Sequence, residues 1–446
     1  MPPRSPRGAA ADLIDISFIN ETANDGVRLL SPSREPSREF EPLKPKEKTS
    51  ARTEDTPAAP RGGATKILFL DGLRGLAAMG VIVQHAKWLG DRPLGQPAVD
   101  VFFVLSAFLL TLIFERKART LLQQDASYER WALALLDYFA RRFLRVYPLF
   151  VIVAVIVACH PPADRAKLFA VRPPEDYSVV RVLLFDFKSR YHVFWTLPLE
   201  ITYYFVIPAL VIFLLKLHKF WFMPMLPLAY LVLYSGFYWF RLDHQPLTPH
   251  LPTFLCGSMA AIVYAKADQW IARHGFVFHW YHEAGLRTIE CVCLALLFST
   301  VFGGLFFDWV LANPIPQGPG GHFVSATVSV IIVCEMLLPG AVASVLEWSL
   351  LRYAGKISFS MYMLHSFVVY SDWVQNQPSY YNKFFAIWGL SFAVGSVSYH
   401  LVESPCQWLA SEVGKAIKEK ESALEQLRVK LTLPVDSGHV PQNHTV

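Results

Sequence analysis

The 446-residue chain is 53% apolar and 14% aromatic, with charges on only 17% of its residues, well under the ~25% of a soluble domain. Its apolar residues gather in repeated stretches long enough for bilayer helices, which need about 20 residues each, and a soluble protein of this composition would lack the polar surface to cover them. The net charge of +5 does not point to nucleic acid, because the basic residues sit mostly in the tails and short loops, where membrane orientation accounts for them.

Residues 1–65 are rich in Pro, Arg, Ser and Glu, without the apolar core and small-residue cleavage site of a secretory signal. They are predicted to form a disordered cytosolic tail, with scope for a short helix over Ala11–Leu30. From Ile67 the composition changes abruptly. The expected fold is all-α, a polytopic membrane bundle over 66–408. About ten spans are expected, near 67–89, 99–114, 143–159, 193–215, 220–240, 249–267, 285–306, 323–346, 355–374 and 383–403. The second and third are short. Residues 409–446 form a second cytosolic tail, in which SEVGKAIKEKESALEQLRVKL reads as an amphipathic helix outside the bilayer.

With the N-terminus in the cytosol, roughly 30 of the 41 Lys and Arg fall on that side and about 10 on the other. The short segments RKAR at 116–119, RRFLR at 141–145 and KLHK at 216–219 support this orientation, and the loop at 307–322 holds no Lys or Arg. The 160–192 loop, with six, runs against it, but long loops obey the rule weakly. Both termini are therefore expected in the cytosol, of an endoplasmic reticulum or plasma membrane protein if the source is eukaryotic. The acceptor patterns at Asn20 and Asn443 should then stay unglycosylated. The six cysteines, at 159, 256, 291, 293, 334 and 406, lie in or beside apolar spans with no CxxC pair. They read as small packing residues.

Ionisable residues inside spans are costly, and so mark function first. The first span, FLDGLRGLAAMGVIVQHA, holds Asp71, Arg74 and His85. Arg74 and His85 are three helical turns apart, on one face but about 16 Å distant along the axis. One elongated ligand could touch both. The plainer alternative is that Asp71 and Arg74 pair near the helix start while His85 is a satisfied bundle histidine. Arg142 and Arg145 are one turn apart and can converge on a phosphate, although RRFLR also reads as an ordinary positive-inside cluster. Glu200, in FWTLPLEITYYF, lies at a depth close to that of His85, so the two could meet and the carboxylate could orient the imidazole for general-base work. Asp100, Ser106, His365 and Glu403 are further polar candidates, and Trp195 and Tyr204 flank Glu200 as binding residues.

These segments together resemble the acyltransferase-3 family of integral-membrane O-acyltransferases. FLDGLRGLAAMGVIVQHA resembles its opening signature, an Arg and His separated by ten residues. AVDVFFVLSAFLL resembles the second motif, with Ala107 where Gly is usual. RRFLRVYPLF is similar to its Arg-x-x-Arg element, at Arg142 and Arg145. FWTLPLEITYYF is similar to its Trp-Ser-Leu-x-x-Glu-x-x-Tyr motif, with Thr196 for Ser. GKISFSMYMLHSFVV and SYHLVESP resemble the closing motifs and carry His365 and Glu403. The order is right from about residue 67 to 408.

The resemblance implies transfer of an acyl group, commonly acetyl from acetyl-CoA, to a hydroxyl of a glycan or small molecule. Arg142 and Arg145 would hold CoA phosphates, Arg74 would contact the donor further in, and His85, oriented by Glu200, would be the base. No permanent cofactor and no metal are expected, since no metal-ligand spacing is visible. Some relatives carry a fused extracytoplasmic esterase-like domain; the ~40 residues after the last span are too few for one, so donor and acceptor are expected to meet within the membrane domain. A transporter or channel also places Arg, His and Glu in spans, and a non-catalytic sensor could keep the fold. A CoA-dependent thermal shift separates the enzyme from the transporter.

Overall fold

The computed structural model describes residues 67–90, 94–186, 191–238, 247–308 and 322–432. The expectations for residues 1–65, and for Asn20 and Asn443, lie outside that set. The described chain is helical, and none of it is strand. Its helices are α1 (Leu68–His85), α2 (Gly95–Gln123), α3 (Tyr128–Cys159), α4 (Pro162–Phe169), α5 (Val179–Leu183), α6 (Thr196–Lys216), α7 (Phe222–Tyr238), α8 (Leu251–His274), α9 (Trp280–Phe302), α10 (His322–Leu337), α11 (Ala341–Leu346), α12 (Ser349–Lys356), α13 (Ser358–Val369), α14 (Asp372–Gln375), α15 (Tyr380–Ser398) and α16 (Ser404–Thr432). Six described helical stretches are long and apolar enough to cross a bilayer: those containing α2, α3, α6, α7, α9 and α15–α16. Phe205, Phe213, Leu226, Tyr230 and Phe237 stand exposed on α6 and α7, as expected of side chains facing lipid tails as apolar as they are.

The ten expected spans are thus not matched by ten long helices. The second and third, expected to be short, are 29 and 32 residues long, because polar turns at one end of each continue the helix. The eighth is broken. Arg287 of α9 donates to Glu290, to Glu335 Oε1 (2.8 Å) and to the carbonyl of Leu338, while the Gly340 amide donates to Glu335 Oε2 at 2.6 Å. This network satisfies polar groups freed where α10 ends and α11 begins. The C-terminal amphipathic helix is not a separate element, since α15 runs into α16 through a wide π turn at Tyr399–Glu403. Lys117 and Arg130 bind Glu421 and Glu425 of α16, fastening it across the α2–α3 hairpin.

Glycines set the closest helix approaches. A methyl group on Gly72 or Gly75 would stand 1.7 Å from the Leu346 carbonyl oxygen or 2.1 Å from that of Leu351. One on Gly355 would stand 1.8 Å from the Asp71 carbonyl oxygen. α1 therefore lies backbone to backbone on α11 and α12, as small residues permit inside a membrane. This contact fixes the rotation of α1, the helix carrying Arg74 and His85.

Candidate active site

One end of α1 contributes to a cavity of about 120 Å³. Arg74 from α1, Arg142 and Arg145 from α3, and Glu200 and Tyr204 from α6 line it, with Asp71, Ser106, Thr196 and Tyr362. The helical register of α3 explains the choice of arginines. Arg142 and Arg145 share the inner face, while neighbouring Arg141 is buried against Gly414 of α16 and donates to Asp137 at 2.7 Å. Glu200 accepts from the Tyr204 hydroxyl at 2.9 Å and lies in the field of all three arginines. Among the described residues, none of Arg74, Arg142 and Arg145 forms an ion pair with a carboxylate within 4 Å, and the Arg142 Nε is buried without a hydrogen-bond partner. Guanidinium groups with carboxylates only at longer range are partly compensated by the protein. They suit an anion, which they can grip by two parallel N–H bonds.

The other end of α1 enters a cluster of three histidines. The His85 ring centroid lies 4.9 Å from that of His365 and 5.2 Å from that of His192, and the latter two are 6.0 Å apart. His85 Nδ1 meets the Tyr370 hydroxyl at 2.8 Å. His365 Nδ1 lies 2.7 Å from the Tyr362 carbonyl oxygen, and His192 Nδ1 lies 3.2 Å from that of Phe169. A carbonyl only accepts, so both Nδ1 atoms carry the hydrogen and both Nε2 atoms carry the lone pair. Tyr362 connects the two regions: it lines the cavity, and its ring stands 6.1 Å from that of His365.

His192 is positioned by a cap over the bundle. Arg165 of α4 donates to the carbonyls of Val157, Ala158 and Pro174, satisfying groups that the end of α3 leaves open. Phe169, Tyr191 and Phe367 pack on one another beneath it. Lys167 of the cap reaches Asp372 at 2.5 Å. Tyr191 is fully buried and donates to the Met363 carbonyl, and the next residue turns its imidazole toward His85.

Most of the sequence-predicted residues fall in these two regions, with one correction. Glu200 does not orient His85. Its bonding partner is Tyr204, and His85 is held by Tyr370. Similar depth on two helices does not fix which way each side chain points around its axis, and Glu200 points to the arginines. Ser106 lines the cavity, and Asp100 is buried on the same helix. Trp195 packs instead on Phe103 and His250, with centroids 5.9 and 5.3 Å away. Glu403, in the π turn, accepts from Ser360 and lies in the field of Arg145 and Arg74. Sequence reasoning missed His192 and Tyr370. Neither lies in a recognised motif, and no periodicity connects them to His85.

Comparison with known proteins bears on what this arrangement is for. A family model described as an acyltransferase domain matches residues 67–400. The chain belongs to the acyltransferase-3 family. Its curated relatives include a Staphylococcus aureus (strain MRSA252) protein provisionally named as an O-acetyltransferase. It is 23% identical over 390 residues, which are 80% of this chain and 59% of the relative. The O-acetyltransferase OatA of the same strain is 22% identical over 395 residues, 82% of this chain and 62% of that one. This chain thus spans about six-tenths of the length of the curated relatives it matches. No solved structure matches it.

The two departures from the acyltransferase-3 motifs have local explanations. Ala107 replaces the usual Gly where α2 meets α8, and a methyl on Gly257 of α8 would be 2.9 Å from the Ala107 Cβ. Gly257 on the facing helix supplies the room that Ala107 takes. Thr196 keeps the hydroxyl of Ser, which turns back to the Val193 carbonyl at 3.4 Å.

Proposed function

We propose that this acyltransferase-3 protein is a membrane-embedded O-acyltransferase that moves an acyl group, with acetyl the best candidate, from a CoA thioester to a hydroxyl of a carbohydrate or small molecule. The observation that carries this reading is a pair of adjoining sites. Among the described residues, three guanidinium groups with no carboxylate within 4 Å line one cavity, and imidazoles whose Nε2 atoms carry the lone pair lie just beyond Tyr362. The names of the O-acetyltransferase relatives support the same class of reaction.

In this reading Arg142 and Arg145 take CoA phosphates and Arg74 holds the donor further in. His85 is the base. The acceptor oxygen bonds to the thioester carbonyl carbon while its proton passes to His85. The carbon–sulfur bond then breaks, and the CoA sulfur leaves with the proton returned by the imidazolium. Tyr370 holds the imidazole, as a partner at the second nitrogen does for a general base. In the orientation that the distribution of Lys and Arg favours, with both termini in the cytosol, the donor is drawn from that side and the acceptor meets the histidines from the other.

The test uses purified full-length protein with [¹⁴C]acetyl-CoA and pooled hydroxyl acceptors, together with CoA-dependent thermal shift. Labelled ester and a shift are expected. A protein with neither, yet well folded, is not a CoA-dependent acyltransferase.

A further inference from the structure

Three imidazoles that offer one nitrogen each, all within 4.8 Å of one another, can do more than hold one proton. We propose that His85, His192 and His365 form a binding site for a zinc-class divalent metal ion, and that an ion bound there competes with acyl transfer. The second half rests on the reading above, in which His85 uses its lone pair as a base.

The geometry carries the site. Zinc binds imidazole nitrogen at about 2.1 Å with near-tetrahedral angles, which places the ring centroids of two ligands about 5 Å apart. The three centroid separations here are 4.9, 5.2 and 6.0 Å. Tautomers agree as well. Metal-bound histidines typically donate their second ring N–H to a carbonyl or another polar group, and His365 and His192 both do so through Nδ1, to Tyr362 and Phe169. His85 Nδ1 meets the Tyr370 hydroxyl, which can accept its hydrogen when Nε2 binds an ion.

A second observation points to a ligand. His365 is 1% exposed, yet its Nε2 has no hydrogen-bond partner. An unsatisfied buried nitrogen is costly, and a metal would satisfy it. His192 Nε2 faces Ser366 Oγ at 3.3 Å, a long contact that coordination would replace. Bringing the three nitrogens onto one ion closes the cluster by roughly 1 Å. His85 and His192 are only half-buried, and water would supply the fourth ligand of the ion. No spacing pattern marks this site, because the ligands are far apart in the chain and none pairs with another at helical spacing.

Coordination uses the Nε2 lone pair that would otherwise accept the acceptor's proton, so the loaded protein should be inactive. The experiment adds Co²⁺ to chelator-stripped full-length protein and records its visible spectrum. Zinc K-edge absorption on the Zn²⁺-loaded protein then reads the ligands directly. One Co²⁺ per chain with the intense band of a four-coordinate site, displaced by Zn²⁺, is expected, with three imidazole nitrogens and one oxygen around zinc. His192→Ala should weaken Co²⁺ binding roughly tenfold or more while keeping its CoA-dependent thermal shift. A protein without the band, or a zinc shell with fewer than three imidazoles, overturns the site even if the variant fails to fold. Transfer should fall with Zn²⁺ occupancy and return with chelator. A chelated enzyme that loses activity overturns the competition while leaving the site. If the spectra appear and no acyl transfer is found, the site stands and the proposed function falls.

Discussion

The two ends of α1 face different problems. At Arg74 the protein gathers three positive groups that, among the described residues, have no carboxylate within 4 Å, with Glu200 and Asp71 lining the same cavity, and an anion would complete the region. At His85 it gathers three imidazoles, fixes the hydrogens of two of them through the Tyr362 and Phe169 carbonyls, and holds His85 by the Tyr370 hydroxyl. That region is assembled before any ligand arrives. The contrast divides the labour: charge to hold a donor at one end, oriented lone pairs to move a proton at the other. About 16 Å of helix separates them.

Variants of the two regions should therefore fail in different ways. The largest effect belongs to His85→Ala, expected to lower turnover at least about a hundredfold, within the range of a positioned base, and measured by single-turnover transfer on folded protein. Next comes the Arg142→Gln, Arg145→Gln double variant, which should raise the apparent KM for acetyl-CoA about tenfold or more, equivalent to ~1.4 kcal/mol. Arg142→Lys should cost less than Arg142→Gln but more than nothing, since an ammonium lacks the two-pronged fork. Glu200→Gln should raise KM and Tyr370→Phe should lower kcat, each by a few-fold. Because they act in separate regions, their free-energy losses should add to within about 0.5 kcal/mol. Strong coupling between them would merge the two regions into one. The smallest effect is Lys117→Ala. It breaks a partly exposed ion pair to α16, and should change stability by less than about 1 kcal/mol with transfer unaltered.

The arginine region was largely legible in the sequence. Arg142 and Arg145 are one turn apart on a single helix, and local spacing suffices to put them on one face. Arg74 was legible because a charge in an apolar span is conspicuous. The histidine region was legible only in part. His85 and His365 carry motif resemblance, but His192 follows a loop, and its place depends on the α4–α5 cap, the Tyr191 anchor and the Lys167–Asp372 contact, all long-range. Span boundaries failed for similar reasons. The break at Leu338–Gly340 is held by Arg287 from another helix, and the π turn at Tyr399 leaves the helical pattern of the sequence uninterrupted.

The division of labour is tested most directly by measuring CoA affinity and single-turnover transfer on the same samples of His85→Ala and the Arg142/Arg145 double variant. His85→Ala should bind CoA as the parent does and transfer at least about a hundredfold more slowly. The double variant should bind CoA weakly and recover most of its transfer rate once acetyl-CoA saturates it. Near-normal transfer by a well-folded His85→Ala protein, or loss of both properties in either variant, would contradict it.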